Sequence, residues 1–165
     1  MARRTLKIKA KRLRLWFAAA TMAVCLGACA PEQIVYSHFE SLPNQSWQSD
    51  LPVRFVPEWS DSSAVCDMLI TVRHTQSYPY GNLPLVVDII GDSGQVVRHR
   101  VHLAITDGRG NWQGRGFGTL YQCQALVAHG VTPQQAQRVV VWQAIDSCAL
   151  LPGVSDVGIS FSIEN

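Results

Sequence analysis

Alternation of apolar and polar side chains is the feature that most restricts what this chain can fold into. In residues 64–74 every second side chain is apolar over four successive positions. A helix would scatter these side chains around its axis, whereas a β-strand places them on one face. The segment therefore predicts a strand with one buried face, and Cys66 is interpreted as a small buried residue of that face. The four apolar residues are Cys66, Met68, Ile70 and Val72.

Turn-forming residues separate several further strand-like segments. Strands are predicted at 51–56, 83–90, 95–106, 138–145 and 157–163. Pro52 and Pro57 suit the first of these to a sheet edge, and the segment 91–94 predicts a hairpin loop. Only residues 132–137 have a helical signature, because Thr132 and Gln135 have the spacing of a capping box. Short strands between turns predict an all-β fold, an antiparallel β-sandwich of jelly-roll or immunoglobulin-like type.

The first 28 residues have the layout of a secretory leader. Residues 1–14 carry three lysines and four arginines, and the twelve residues 15–26 are uncharged and mostly apolar. This apolar run is too short for a comfortable membrane-spanning helix and suits a signal peptide. Leu26-Gly27-Ala28-Cys29 resembles the lipobox of bacterial lipoproteins, in which the cysteine thiol is lipidated. We expect a signal peptide at 1–28, lipidation at Cys29, a lipid-anchored tether at 29–34 and one β-sandwich domain at 35–165.

Without the leader the net charge changes sign. The whole chain is +2, but residues 29–165 carry seven arginines, no lysine and twelve acidic residues, which gives −5. The basic excess therefore belongs to the export signal, and no nucleic-acid partner is expected. Three cysteines remain besides Cys29, and any two of Cys66, Cys123 and Cys148 could pair in an oxidising envelope.

Several motifs resemble one known family. They are Ser46-Trp47, Arg73-His74-Thr75, the segments 78–83 and 110–118, and Leu151-Pro152-Gly153 with the residues up to Gly158. Together they are similar to the GldH family of gliding-motility lipoproteins from the Bacteroidetes group, from about Tyr36 to the last residue. The resemblance implies an association with the gliding and type IX secretion machinery. It implies no catalytic residue, no metal and no cofactor.

The residues themselves give no support to catalysis or metal binding. Gly114 to Gly118 is not followed by a helix signal, as a phosphate-binding loop would require. His99 and His102 fall on opposite faces of a predicted strand, and His74 is interpreted as a surface or hydrogen-bonded histidine. Cys148 would be a nucleophile only with a histidine beside it in the fold. We therefore expect no enzyme activity, no metal site and no cofactor.

Aromatic residues and arginines cluster in two turn-rich segments and predict an interaction surface. This surface consists of Tyr78, Tyr80, Trp112, Arg73 and Arg115. The same aromatics could instead plug the end of the sandwich or stack on a sugar ring. For Tyr80 we expect an interface role, and for Trp112 a packing role.

Two functions follow as hypotheses. The first is a lipid-anchored, non-catalytic assembly component of a gliding or type IX secretion complex, held at the membrane by lipid on Cys29. The alternative is a carbohydrate-binding module for peptidoglycan or exported glycans. The residue after Cys29 is Ala30 and not an aspartate, and no acidic run follows it. We therefore expect the protein to lie at the periplasmic face of the outer membrane.

Overall fold

The computed structural model describes residues 33–163, which lie within one compact unit. The predicted signal peptide and Cys29 lie outside the described residues. No helix among residues 33–163 is long and apolar enough to cross a membrane. A short 3₁₀ turn at Pro43–Gln45 follows the first strand. The strands are β1 (Gln33–Ser41), β2 (Ser46–Gln48), β3 (Val53–Phe55), β4 (Cys66–His74), β5 (Asn82–Ile90), β6 (Val96–Ala104), β7 (Arg115–Phe117), β8 (Leu120–Val131), β9 (Arg138–Gln143), β10 (Leu150–Pro152) and β11 (Val154–Ile163).

Two antiparallel sheets form a sandwich. One has five strands in the order β1-β11-β4-β8-β7, and the other has four in the order β3-β9-β5-β6. A small ribbon of β2 and β10 accompanies them. This architecture confirms the predicted all-β sandwich and the single domain fold. The order of the strands differs from their order in the chain, because β11 lies between β1 and β4 and β9 lies between β3 and β5.

The core lies between the sheets and follows the alternation of the strands. The apolar face of β4 is at most 2% exposed, and Cys66 is buried as predicted. Leu83, Leu85 and Val87 of β5 are equally buried in the same cluster. Burying a side chain of this size contributes roughly 1.5–3 kcal/mol relative to leaving it exposed. The packed apolar faces therefore hold the two sheets together.

The hairpin and the edge strand predicted from turn residues are both present. β5 and β6 pair along their whole length, from Asn82 opposite Ala104 to Ile90 opposite Val96. The loop closes with the N–H of Gly91 donating to the carbonyl of Gln95 at 3.0 Å. β3, which the prolines placed at an edge, is the outermost strand of the four-stranded sheet.

The prediction of a helix at 132–137 was wrong, and the segment forms a single turn. The capping contact is present, since the N–H of Thr132 donates to Oε1 of Gln135 at 3.0 Å. However, the N–H of Gln137 donates to the carbonyl of Ile90 on β5 at 2.9 Å. The neighbouring strand thus takes the next hydrogen bond, and β9 begins at Arg138.

β1 also begins two residues inside the predicted tether, because Gln33 already pairs with Ile163 of β11. This pair marks one end of the sandwich. The opposite end of the same sheet carries His74, which pairs with Val154. Along β4 the two ends lie about 26 Å apart, at about 3.3 Å for each residue. The end that carries His74 is called the aromatic end below.

Candidate interaction site at the aromatic end

The aromatic end is built around the buried ring of His74. Its centroid lies 5.7 Å from that of Tyr78 and 5.1 Å from that of Trp112. The ring of Tyr121 lies nearly parallel to it at 5.5 Å. His74 and Tyr121 meet because β4 and β8 pair at this position. Residues from three separate segments thus pack on one histidine, and sequence reasoning missed its central position.

Backbone hydrogen bonds bring the segment around Trp112 to this end. The carbonyl of Gly81 accepts from the N–H groups of Ile105 and Thr106, both at 3.0 Å. Trp112 then bridges to Thr106 across an isolated antiparallel pair. The side chain of Asp107 holds the loop between them by accepting from Asn111, and these bonds lower the pKa of Asp107. The aromatic ring is therefore held by an ordered loop.

The glycine-rich segment that contains Gly114 packs its backbone directly against the backbone of β8. A Cβ on Gly114 would lie against the carbonyl oxygen of Gln122, so only glycine allows β8 to approach here. The chain then enters β7 and turns directly into β8. This geometry agrees with the interpretation that the glycines permit close approach, and the strand after them is not the helix of a phosphate loop.

His74 and Cys123 form a buried pair that lacks the properties of a catalytic dyad. Nδ1 of His74 donates to the carbonyl of Thr75 at 3.1 Å, which leaves Nε2 without a proton. The sulfur of Cys123 lies 3.8 Å from that Nε2 and 3.3 Å from the carbonyl of Gln113. Burial lowers the pKa of His74 and raises the pKa of Cys123. A neutral imidazole beside a protonated thiol supports packing, since nucleophilic cysteines need a lowered pKa.

Tyr78 does not belong to the surface on which it was predicted. Its side chain is 2% exposed, and its hydroxyl donates to the carbonyl of Asn82 at 2.8 Å. Burial raises the pKa of this phenol. The chain passes so close to Gly153 that Tyr78 forms a packed corner of the core. Tyr78 therefore contributes almost no accessible area to the predicted surface.

Tyr80 and Trp112 remain accessible at the aromatic end. Tyr80 is 41% exposed and stands edge-on to Tyr78, with centroids 6.0 Å apart and planes at 74°. Trp112 is half-buried, and its ring is tilted by 36° against that of Tyr121. The packed rings beneath them hold both side chains in place. Tyr80 and Trp112 are therefore accessible at the aromatic end, where Tyr121 is half-buried as well.

Arg73 and Arg115 lie on a different face. The guanidinium carbon of Arg73 is 3.9 Å from the ring centre of Phe39, and its Nε donates to Gln122 at 3.1 Å. Gln122 pairs with Arg73 on one side and Arg115 on the other, so the three side chains share the outer face of the five-stranded sheet. His74, one residue further along β4, points inward. The five predicted residues are thus divided between two surfaces and the core.

Two clefts among residues 33–163 are smaller than a typical ligand site. One of about 200 Å³ lies between β6 and β8, beside Val97 and Ala128. Another of about 210 Å³ lies beside Trp47 and Leu150. Pockets for small molecules usually measure roughly 300–1,000 Å³. Within residues 33–163 no three His, Cys, Asp or Glu side chains are grouped as metal ligands, and all three cysteines are free thiols.

The sequence of the sandwich domain matches a family of lipoproteins. The family described as "GldH lipoprotein" matches residues 34–161, and the chain belongs to this family. Membership of a lipoprotein family supports a lipid-anchored protein of the cell envelope.

Two relatives cover nearly the whole chain. The "Gliding motility lipoprotein GldH homolog" of Christiangramia forsetii is 29% identical over 149 residues, which cover 86% of this chain and 90% of the relative. The "Gliding motility lipoprotein GldH" of Flavobacterium johnsoniae is 26% identical over 148 residues, with 86% and 91% covered. Because both alignments span most of each chain, the similarity concerns the whole domain and not one motif.

Proposed function

We propose that this protein is a non-catalytic assembly component of a gliding-motility or type IX secretion complex, anchored through lipid on Cys29. The single observation that carries the proposal is the accessible aromatic pair Tyr80 and Trp112 on a rigid, packed base. Aromatic side chains held in place lose little entropy on binding and often dominate protein contacts. Family membership and the names of the relatives support the part of the proposal that concerns a lipoprotein linked to gliding motility.

The position of the pair suits presentation to a partner. The chain enters the fold at Gln33, at the end of the sheet opposite to His74. Three residues separate Cys29 from Gln33, so the two positions can lie at most about 14 Å apart. A lipid on Cys29 would therefore attach to the chain close to Gln33, and the aromatic end is the end of the sheet that lies further from this attachment point. From Ala30 and the absence of an acidic run after it, we propose that the anchor lies at the periplasmic face of the outer membrane.

A protein partner agrees with the aromatic geometry better than a glycan does. A sugar platform needs exposed rings that lie in one plane, whereas Tyr78 is buried and Tyr80 stands at 74° to it. Burial also raises the pKa of the Cys123 thiol, which does not suit a nucleophile. The carbohydrate-binding alternative therefore ranks second.

A substitution of Tyr80 tests the proposal directly. In the full-length protein Tyr80→Ala should leave the melting temperature almost unchanged, because the side chain is 41% exposed. Recovery of secretion or motility subunits from cross-linked envelopes should fall by about 30-fold, which corresponds to the loss of a binding hot spot of about 2 kcal/mol. Leu126→Ala is a matched control, since Leu126 is 42% exposed on a strand away from this end.

Equal recovery with both variants would remove the aromatic end from the assembly role. Retention of the wild-type protein on peptidoglycan, lost in Tyr80→Ala without any change in protein partners, would favour the glycan alternative.

A further inference from the structure

The outer face of the four-stranded sheet collects four arginines from three of its strands, β3, β6 and β9. Strand pairing aligns Arg54 with Val140, then Asp88, then Arg98, so that these side chains share one face. Arg100 pairs with Val86, and Arg138 pairs with Ile90. Val86 and Ile90 lie two residues before and after Asp88 on β5, so both arginines are on the same face as Asp88. This surface, formed by Arg54, Arg98, Arg100, Arg138 and the exposed His102, is called the arginine face.

The arginine face has the opposite charge to the rest of the protein. Strands β3, β5, β6 and β9 carry four arginines and one aspartate, a net +3. Residues 29–165 as a whole carry −5 and only seven arginines. Four of the seven arginines therefore lie on one face of one sheet, and eleven of the twelve acidic residues lie outside these four strands.

The one acidic side chain of these strands is already neutralised. Asp88 accepts from Nε and from one terminal nitrogen of Arg98, both at 2.7 Å. The pair lowers the pKa of Asp88, mainly through the hydrogen bonds from Arg98. Within residues 33–163, Arg100 and Arg138 have no ion pair and are exposed. Their guanidinium groups are therefore available to an external anion.

Apolar side chains occupy the centre of the same face. Trp142 pairs beside Val86 and is half-buried, as is Val140 in the next row. The arginines stand around this centre. Tryptophan and arginine with a small apolar centre are the composition typical of protein interfaces.

We propose that the arginine face binds a carboxylate-rich surface of another envelope protein. The planar guanidinium group pairs with a carboxylate through two parallel hydrogen bonds, as Arg98 and Asp88 do in this sheet. The face extends across four strands, which suits a folded partner. It is separate from the aromatic end, so it supplies a second contact surface and does not depend on the role of Tyr80.

The absence of lysine after residue 28 permits a specific test. Arg100→Lys in the full-length protein introduces a primary amine at the arginine face and keeps the positive charge. A zero-length carbodiimide reagent, applied to intact envelopes, joins this amine only to a carboxylate in direct contact. We expect a cross-link from position 100 to an Asp or Glu of another protein. Gln124→Lys is the control, because Gln124 is exposed on the outer face of the other sheet.

Charge reversal gives the second measurement. Arg100→Glu combined with Arg138→Glu should lower at least tenfold the amount of the partner, identified by the cross-link, that co-purifies with this protein. The melting temperature should stay unchanged. Replacement of the partner's cross-linked carboxylate by arginine should restore recovery.

Three outcomes would overturn the proposal. They are no cross-link from position 100 to a carboxylate of another protein, cross-links only to a second copy of this chain, and capture only of an anionic phospholipid. None of them would affect the Tyr80→Ala test, so the two proposals can fail separately.

Discussion

Gly153 connects the β10–β11 turn to the core of the aromatic end, and its replacement should be costly. Its φ is +82°, and its N–H donates to the carbonyl of Gln45 at 2.8 Å. A Cβ at this position would lie against the backbone nitrogen of Tyr78 and 2.7 Å from its Cα. These are backbone atoms, so no side chain can rotate away to make room.

The expected cost of Gly153→Ala has two parts. Holding alanine in a left-handed conformation costs roughly 1–2 kcal/mol, and forcing extra volume into a packed site costs roughly 1–3 kcal/mol. Gly94→Ala isolates the first part, because Gly94 has a φ of +78° and a Cβ there would meet nothing within 4 Å. Alanine also lowers the conformational entropy of the unfolded chain, which raises the unfolding free energy of both variants by about 0.4–1 kcal/mol and offsets part of the cost.

Urea unfolding of the purified proteins measures both costs. Gly153→Ala should lose about 2–4 kcal/mol of unfolding free energy, and Gly94→Ala about 1 kcal/mol or less. Near-ultraviolet circular dichroism of the aromatic side chains should change only in Gly153→Ala. Equal losses in the two variants would show that the turn does not press on Tyr78, and the account of the packed corner would then be refuted.

Three further predictions concern the aromatic end, the central ion pair and the anchor. Trp112→Ala should lower the unfolding free energy by about 2–3 kcal/mol, less than the 3–5 kcal/mol of a fully buried aromatic. It should also raise the pKa of His74 toward its ordinary value, as read by NMR titration, because water reaches the ring. The Asp88–Arg98 pair lowers the pKa of Asp88, so its stabilisation is present above about pH 4 and lost as the pH falls through the lower folded value. Asp88→Asn should therefore unfold with a weaker dependence on pH between pH 5 and pH 2, within roughly the range set by the aspartate pKa. Cys29→Ser should abolish palmitate labelling, and the variant should then be released from the membrane. Retained labelling would contradict the lipid anchor. Protease added to intact cells should spare the wild-type protein.

Much of the secondary structure follows from the sequence alone. The alternation of residues 66–72 determines which side of β4 is buried, because successive side chains of a strand point to opposite faces. The loop at 91–94 joins neighbouring strands and closes locally, so its residues suffice to predict the hairpin. The capping residues at 132–135 likewise form their local contact, although the helix does not continue.

The membership of the two candidate surfaces was decided by tertiary structure. The arginine face exists because β9 lies between β3 and β5, an order that local patterns do not encode. Arg73 and Tyr80 are close in sequence, yet the inward turn after β4 places them on different surfaces. Tyr78 and Tyr80 have the same chemistry and differ in burial because Tyr78 packs on His74 and against the backbone at Gly153. Alternation and turn signals act over a few residues, whereas strand order and burial depend on contacts between distant segments.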